Sequence, residues 1–280
     1  MKKFLLIIIG ILFLAFLFFF WGGSLFTKFS IEKSVAELRD SINFKEKSLF
    51  TYSQLEDRDP LIKNYFQSVI DDSTVNPLFV TVKQKADFKT DLNSDWFPLT
   101  ATEYFTIAQP NFLWDSKMKT SSFFWVNAID SYIRGKGNML IKLNSSITIA
   151  DSWGIELDKS GLFRYISEAV LFPTKLLPSE NLLWNVLDSN TAEIKFIDNN
   201  NSVVMKLYFD SYNRVNKIET LDKYRALDNE YKKSLYTVYC SNYEYFEYGF
   251  WIPTYFEVEW DLPNGKFKYG KFHIEEIKYE

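Results

Sequence analysis

Residues 255–279, YFEVEWDLPNGKFKYGKFHIEEIKY, decide the fold class. Val258 and Trp260 alternate with Glu257, Glu259 and Asp261, the period of two expected of a strand with one buried and one wetted face. Asn264-Gly265 then supplies two residues that accept positive φ, so the stretch predicts a tight hairpin. The same grammar recurs upstream. Residues 193–221, EIKFIDNNNSVVMKLYFDSYNRVNKIETL, place an Asn-rich turn at Asn199 to Asn201 and a second polar turn at Ser211 to Asn213. Short β-branched and aromatic runs at 78–90, 103–114 and 121–135 read as further strands. Successive hairpins of this kind make an antiparallel sheet that must cover its apolar side by curling or by packing on a helix.

The natural cover is the segment from Gly161 to Val170, which interrupts the strands, contains good helix formers and stops before Pro173. Two more helices are expected near the N-terminus. In residues 30–42 Ile31, Val35, Leu38 and Ile42 recur at three- and four-residue spacing. Asp59-Pro60 caps and opens a second, with Leu61, Tyr65, Phe66 and Ile70 as its buried stripe. The fold class is therefore α+β, a curved antiparallel sheet or half-open barrel wrapped around helices.

Residues 4–23, FLLIIIGILFLAFLFFFWGG, carry no charge over about the length that crosses a bilayer core. No Ala-x-Ala-like site follows, and the one cysteine of the chain, Cys240, is too far away to carry a lipid, so a retained anchor is expected. The chain divides into a transmembrane anchor at 1–29, an amphipathic juxtamembrane helix and linker at 30–58, and a single β-rich domain at 59–280. This places a single-pass protein in the cytoplasmic membrane with its body outside the cytoplasm.

The formal charge of −4 and absence of clustered Lys and Arg exclude a nucleic-acid surface. One histidine, His273, leaves nothing for histidine triads or His-rich metal sites. Cys240 lies in an alternating aromatic strand and reads as an inert buried thiol. No phosphate-binding loop is present, and Arg134-Gly135-Lys136-Gly137 reads as a turn. No cofactor is expected. Asp130 and Glu168 are conceivable partners for two-carboxylate glycoside chemistry, a reading no more specific than any pair among 36 acids.

Arg164 and Glu168 stand apart. Helical spacing puts them one above the other, and the chain around them, LFRYISEAVLFPTKLLPSENLLWN at 162–185, is otherwise apolar. They are either a solvated surface pair or a polar rim on an apolar site.

Together with PLIKNYFQSV, FTIAQPNFLWDSKM, IDSYIRGKGNML, TLDKYR and the C-terminal hairpin, this segment resembles an uncharacterised bacterial family of membrane-anchored domains of unknown function. Arg164, Tyr165, Glu168, Phe172, Pro173, Leu176, Leu177, Pro178 and Trp184 carry its most specific part. The order of elements is also similar to the lipoprotein-carrier (LolA/LolB-like) fold, which implies a curved sheet around helices with a lipid-accommodating cavity. These resemblances imply a non-enzymatic module holding a lipid or lipoprotein acyl chain, tethered by its N-terminal helix. Trp114, Phe163, Phe172, Trp184 and Trp251 would wall the cavity, and Arg164 and Glu168 would form its polar rim. The rival expectation is an envelope scaffold or protein-interaction domain, in which the same aromatics fill a core. An enzyme using Asp130 or Glu168 as acid or base is third.

Overall fold

The computed structural model describes residues 2–121, 123–227 and 230–280, with side chains throughout except at 2 and 12–21. Three α-helices are present among them: α1 (Lys2–Asp40), α2 (Pro60–Val69) and α3 (Ile155–Ser167). The strands fall into an N-terminal set, β1 (Phe79–Phe88), β2 (Phe97–Thr106), β3 (Asn111–Lys119), β4 (Trp125–Ile133), β5 (Lys136–Leu143) and β6 (Ile147–Trp153), which ends at α3. After α3 come β7 (Leu182–Asp188), β8 (Thr191–Asp198), β9 (Asn201–Phe209) and β10 (Val215–Thr220). The last five are β11 (Tyr224–Leu227), β12 (Glu230–Lys233), β13 (Tyr236–Phe246), β14 (Phe250–Leu262) and β15 (Gly265–Tyr279).

Thirteen strands form one antiparallel sheet, in the order β6-β5-β4-β3-β2-β1-β15-β14-β13-β10-β9-β8-β7, and β11 and β12 form a separate ribbon. The C-terminal strand β15 is the seam. It pairs with β1 from Val80↔Tyr279 to Phe88↔Gly270 and so fastens the N-terminal meander to the C-terminal one. The sheet does not close, because β6 and β7 remain its two edges. It does curl: Tyr132 Oη on β4 donates to Asp198 Oδ2 at 2.6 Å, and Asn201 Nδ2 donates to the Gly135 carbonyl at 2.8 Å. These bonds join strands near opposite ends of the order. Helix α3 packs between the two arms, on β4, β5 and β6 from one and β9 from the other.

The apolar interior lies on the concave side, where α2, α3 and the short 3-10 turns after α3 meet alternate residues of the strands. In α2 the Asp59 carboxylate accepts from the Leu61 amide at 2.8 Å, and Leu61, Tyr65, Phe66 and the following Ile70 are buried, as the periodicity requires. A second, smaller cluster lies on the other face. There Ile31, Val35, Leu38 and Ile42 pack against Phe79, Leu113 and Ile129, so the N-terminal amphipathic stripe also docks on the sheet.

Three expectations change. Residues 1–29 and 30–58 are not separated at residue 29, because α1 continues through it to Asp40. Among the described residues no helix is long and apolar enough to cross a membrane, and much of the apolar stretch, 12–21, lies outside those whose side chains are described. The span expected over 4–23 is thus not supported by the structure. Finally, the β14–β15 turn does not place both Asn264 and Gly265 at positive φ. Gly265 alone takes it, at 119°, because Pro263 occupies the first loop position and fixes its own φ on the negative side.

The turn at Arg134-Gly135, with φ of 52° and 81°, is a tight β4–β5 hairpin. Its return strand passes so close to α3 that a Cβ on Gly137 would lie 2.1 Å from the Leu157 carbonyl oxygen. Backbone on both sides leaves no side chain to yield. Gly137→Ala is therefore expected to cost about 3 kcal/mol in urea unfolding, and an unchanged midpoint would refute this close packing of α3 on β5.

Candidate functional site

The site starts from a row of side chains set by strand register. Glu103 on β2 lies opposite Trp114 on β3, and Trp114 lies opposite Asp130 on β4. Residues paired in this way share a sheet face, so two carboxylates and an indole form one line across three strands. Helix α3 crosses this line. Gly154, at φ 143°, turns the chain out of β6, and Glu156 and Asp158 in the first turn suit the positive end of the helix. Gly161 lets α3 settle on the Tyr132 ring, and Arg164 in the last turn reaches the row.

Arg164 spends its whole guanidinium there. Nε donates to Glu168 Oε1 at 2.9 Å, Nη1 donates to Asp130 Oδ2 at 2.8 Å, and Nη2 lies 3.0 Å from Glu103 Oε1. Its plane is also 4.6 Å from the Trp114 ring centre and 5.2 Å from that of Phe112. The Arg164–Glu168 pair exists as helical spacing predicts. It is no solvated surface pair, however, because only 14% of the Arg164 side chain and none of the Glu103 side chain is exposed. Such a cluster is stable only when the charges satisfy one another, since the desolvation of each ion costs several kcal/mol.

Glu103 is fixed from the other side as well. Trp114 Nε1 donates to Gln84 Oε1 at 3.0 Å, and Gln84 Nε2 donates to Glu103 Oε2 at 3.2 Å. Burial pushes the Glu103 carboxyl well above its ordinary range; Arg164 opposes this, while contact with Glu168 and the nearby Asp130 add to it. Glu103 therefore keeps its proton in conditions where an exposed glutamate loses it. Lys223, in the link between β10 and β11, completes the group. Its ammonium lies 4.9 Å from the Tyr236 ring centre and 5.8 Å from that of Phe163, and Asp130, Glu168 and Glu103 act on it through space. Burial lowers its pKa to about 8, against the raising effect of Asp130.

The remaining candidates scatter. Phe163 belongs to the site, edge-on to Tyr236 at 5.7 Å. Phe172 is buried against Phe105 and Tyr165 in the centre of the core. Trp184 lies under α2, packed on Tyr65, Phe66 and Phe209, with its indole N–H on the Leu176 carbonyl at 2.9 Å. Trp251 lies beneath the Arg214 guanidinium at 4.2 Å. The seven residues therefore do not wall one cavity: Phe172, Trp184 and Trp251 fill separate parts of a packed interior. The clefts observed lie elsewhere, one of about 480 Å³ along Lys117, Lys119 and Trp125, and one of about 80 Å³ beside Lys175 and Asp198.

His273 packs against the Tyr255 ring at a tilt of 46°, and burial pushes the Cys240 thiol upward, which leaves it unreactive. Among the described residues no group of acids, histidines and cysteines is placed to hold a metal ion. Glu103 and Lys223 are the members that sequence reasoning missed. Glu103 breaks the apolar alternation of Leu99, Ala101 and Phe105 along β2, which was the one available signal. Lys223 lies in the polar connection TLDKYR, where no local pattern marked it as a site residue.

Removing the Arg164 charge leaves buried acids without their partner, so Arg164→Met is expected to lose about 3–5 kcal/mol of stability in chemical denaturation. Glu103 gives a distinct signature. Its folded pKa is above the ordinary 4.5, so above that pH the folded chain binds more protons than the unfolded one. Stability then falls as pH rises from about 4.5 toward the folded pKa, and Glu103→Gln is expected to flatten that slope. Parallel slopes for the two proteins would contradict this.

A family model described as a family of unknown function, DUF6920, matches residues 60–279. No curated protein matches in sequence. Among solved structures, a putative outer membrane lipoprotein-sorting protein domain from Vibrio parahaemolyticus is similar at 12% identity and a TM-score of 0.40, over 72% of this chain and 85% of that one. A β-barrel-like protein of the domain of unknown function DUF1849 from Brucella abortus is similar at 7% identity and a TM-score of 0.23, over 73% of this chain and 99% of that one. The match over 60–279 spans the second helix and the whole sheet, and the chain belongs to the DUF6920 family.

Proposed function

We propose that the protein is a membrane-anchored, extracytoplasmic, non-enzymatic module that binds an amphiphile with an anionic head and an acyl tail. The observation that carries this is Lys223, an ammonium held between the Tyr236 and Phe163 rings, beside the Arg164 cluster, which costs desolvation energy to maintain. A site with only a structural role has a cheaper solution, because well-packed apolar residues replace buried ion pairs with little loss of stability.

Lys223 begins the segment that covers the site. The β11–β12 ribbon shares no strand pairing with the large sheet, and it is tied down by the Tyr224 amide on Ser160 Oγ at 3.0 Å. Moving the ribbon aside would open the buried Phe163 beside the half-buried Lys223 without breaking a pairing of the main sheet. The tail would then lie along Phe163 and Tyr236, gaining about 0.8 kcal/mol per buried CH2. The anchored reading rests on residues 4–23. The described apolar side chains of that stretch, among them Phe4, Leu6, Ile7 and Ile9, lie exposed on α1.

A second reading, an envelope scaffold or interaction domain, is favoured by the packing of Phe163 and Phe172 against neighbouring rings, which leaves the core filled. Native mass spectrometry and lipid extraction on the full chain, purified without denaturant, separate the two. The binding reading expects a stoichiometric anionic acyl species, reduced about tenfold in affinity by Lys223→Met, a loss of about 1.4 kcal/mol. It also expects retention to fall as pH is raised through about 8, where Lys223 loses its charge. A ligand-free mass from correctly folded protein would favour the scaffold.

A further inference from the structure

Three segments meet at one end of the sheet, and each presents apolar side chains to solvent. The β3–β4 loop exposes Phe123 and Phe124, with Phe123 78% exposed. Edge strand β6 exposes Ile147 and Ile149 on alternate positions, and α1 exposes Phe26 and Phe29. The protein holds them together through polar contacts beneath. Asn144 Nδ2 donates to the Phe123 carbonyl at 3.2 Å, and its Oδ1 accepts from the Trp125 amide at 2.9 Å, which fastens the loop to the β5–β6 turn. Thr27 Oγ1 donates to the Ser145 carbonyl at 2.6 Å and accepts from Lys142 Nζ at 3.0 Å, which fastens the turn to α1. Gly23 completes the contact, because a Cβ there would meet Ser146 Oγ at 2.6 Å.

Asn144, Ser145 and Thr27 thus join the loop, the turn and the helix. Isolated exposed apolar residues need no explanation, but several gathered on three elements joined by hydrogen bonds mark an interaction face. Its charge identifies the occupant. Lys117 and Lys119 line the cleft beside the loop, and the Lys117 ammonium lies 4.1 Å from the Trp125 ring centre. Aromatic and aliphatic tips flanked by lysines match the boundary between acyl chains and anionic headgroups.

Continuity with α1 points the same way. The uncharged stretch that follows Lys3 runs to Thr27, with Lys28 the next charge. The β5–β6 turn is thus joined to α1 at Thr27, the last residue before that charge.

We propose that this end of the domain docks on an anionic bilayer surface, with Phe123, Phe124, Ile147, Ile149, Phe26 and Phe29 entering the interface and Lys117 and Lys119 facing headgroups. The inference rests on the anchored reading of α1 for its orientation. It turns the anchor from a flexible leash into a fixed mount that holds the domain in one orientation on the bilayer.

The test uses the full chain with one added cysteine, which is labelled selectively because Cys240 is buried. Phe123→Cys and Ile149→Cys carry an environment-sensitive fluorophore, with Tyr212→Cys in the other arm as reference. The protein is reconstituted with vesicles of equal phosphatidylcholine and phosphatidylglycerol, with and without brominated acyl chains, and floated on a density gradient. Docking predicts loss of most of the emission at Phe123 and Ile149 in brominated vesicles and little loss at Tyr212. It also predicts that replacing Lys117 and Lys119 with Gln weakens that quenching. Floating protein whose labels at 123 and 149 behave like the one at 212 overturns the docking and leaves the anchor intact. Protein that fails to float but is quenched at 123 and 149 keeps the docking and removes the anchor. Protein that neither floats nor is quenched removes both.

Discussion

A guanidinium buried against a β-sheet must find three or more acceptors or the structure that holds it does not form, and Arg164 is the point on which this fold turns. It bonds Asp130 on one strand and Glu168 in its own chain segment, and lies against Glu103 on another strand. Planar, delocalised and always charged, it also offers a face for Trp114 and Phe112 to cover. The result fixes the rotation and the height of α3 on the sheet. That position in turn decides how the two arms of the sheet close around the helix, because α3 is the element both arms touch.

The remaining architecture supplies the frame in which such a site can be desolvated. The seam at β15 makes the first and last strands neighbours, so a sheet built from two local meanders behaves as one surface. Curling brings the β4–β5 and β8–β9 turns together through Tyr132, Asp198 and Asn201. Burial pushes the Tyr132 phenol upward and its hydrogen bond to Asp198 adds to this, so it stays a donor. On the opposite face α1 covers β1 to β5 with a second apolar layer, and the Arg39 pair with Glu280 joins that helix to the C-terminus. The outer helix, the sheet and the inner helix are thus three layers in register, with the ion cluster between the last two.

Local physics was legible in the sequence, and non-local physics was not. The stripes Ile31-Val35-Leu38-Ile42 and Leu61-Tyr65-Phe66-Ile70 each depend on a single helix and are found where periodicity puts them. The turns at Asn199 and Asn213 take positive φ, as their residue types favour. The i, i+4 pair of Arg164 and Glu168 was legible for the same reason. Its third and fourth members, Glu103 and Asp130, are 61 and 34 residues away from Arg164 and meet only through strand register. No local pattern encodes that meeting. The expectation of one aromatic cavity failed similarly: Phe163, Trp184 and Trp251 all pack on one continuous core, and only the tertiary arrangement sends them to different parts of it. The start of α3 was missed because Gly154, its actual boundary, lies before a charged first turn that resembles a loop.

The central claim is that the Arg164 cluster pins α3 and its covering ribbon to the sheet. Amide hydrogen exchange on Glu103→Gln and Arg164→Met, compared with the unaltered chain under native conditions, tests it directly. The account predicts that protection falls first in α3, β11 and β12 of Arg164→Met, with β1, β14 and β15 keeping theirs, and that Glu103→Gln stays close to the unaltered chain. Loss spread evenly over the whole sheet, or α3 protection untouched by removal of Arg164, would contradict it.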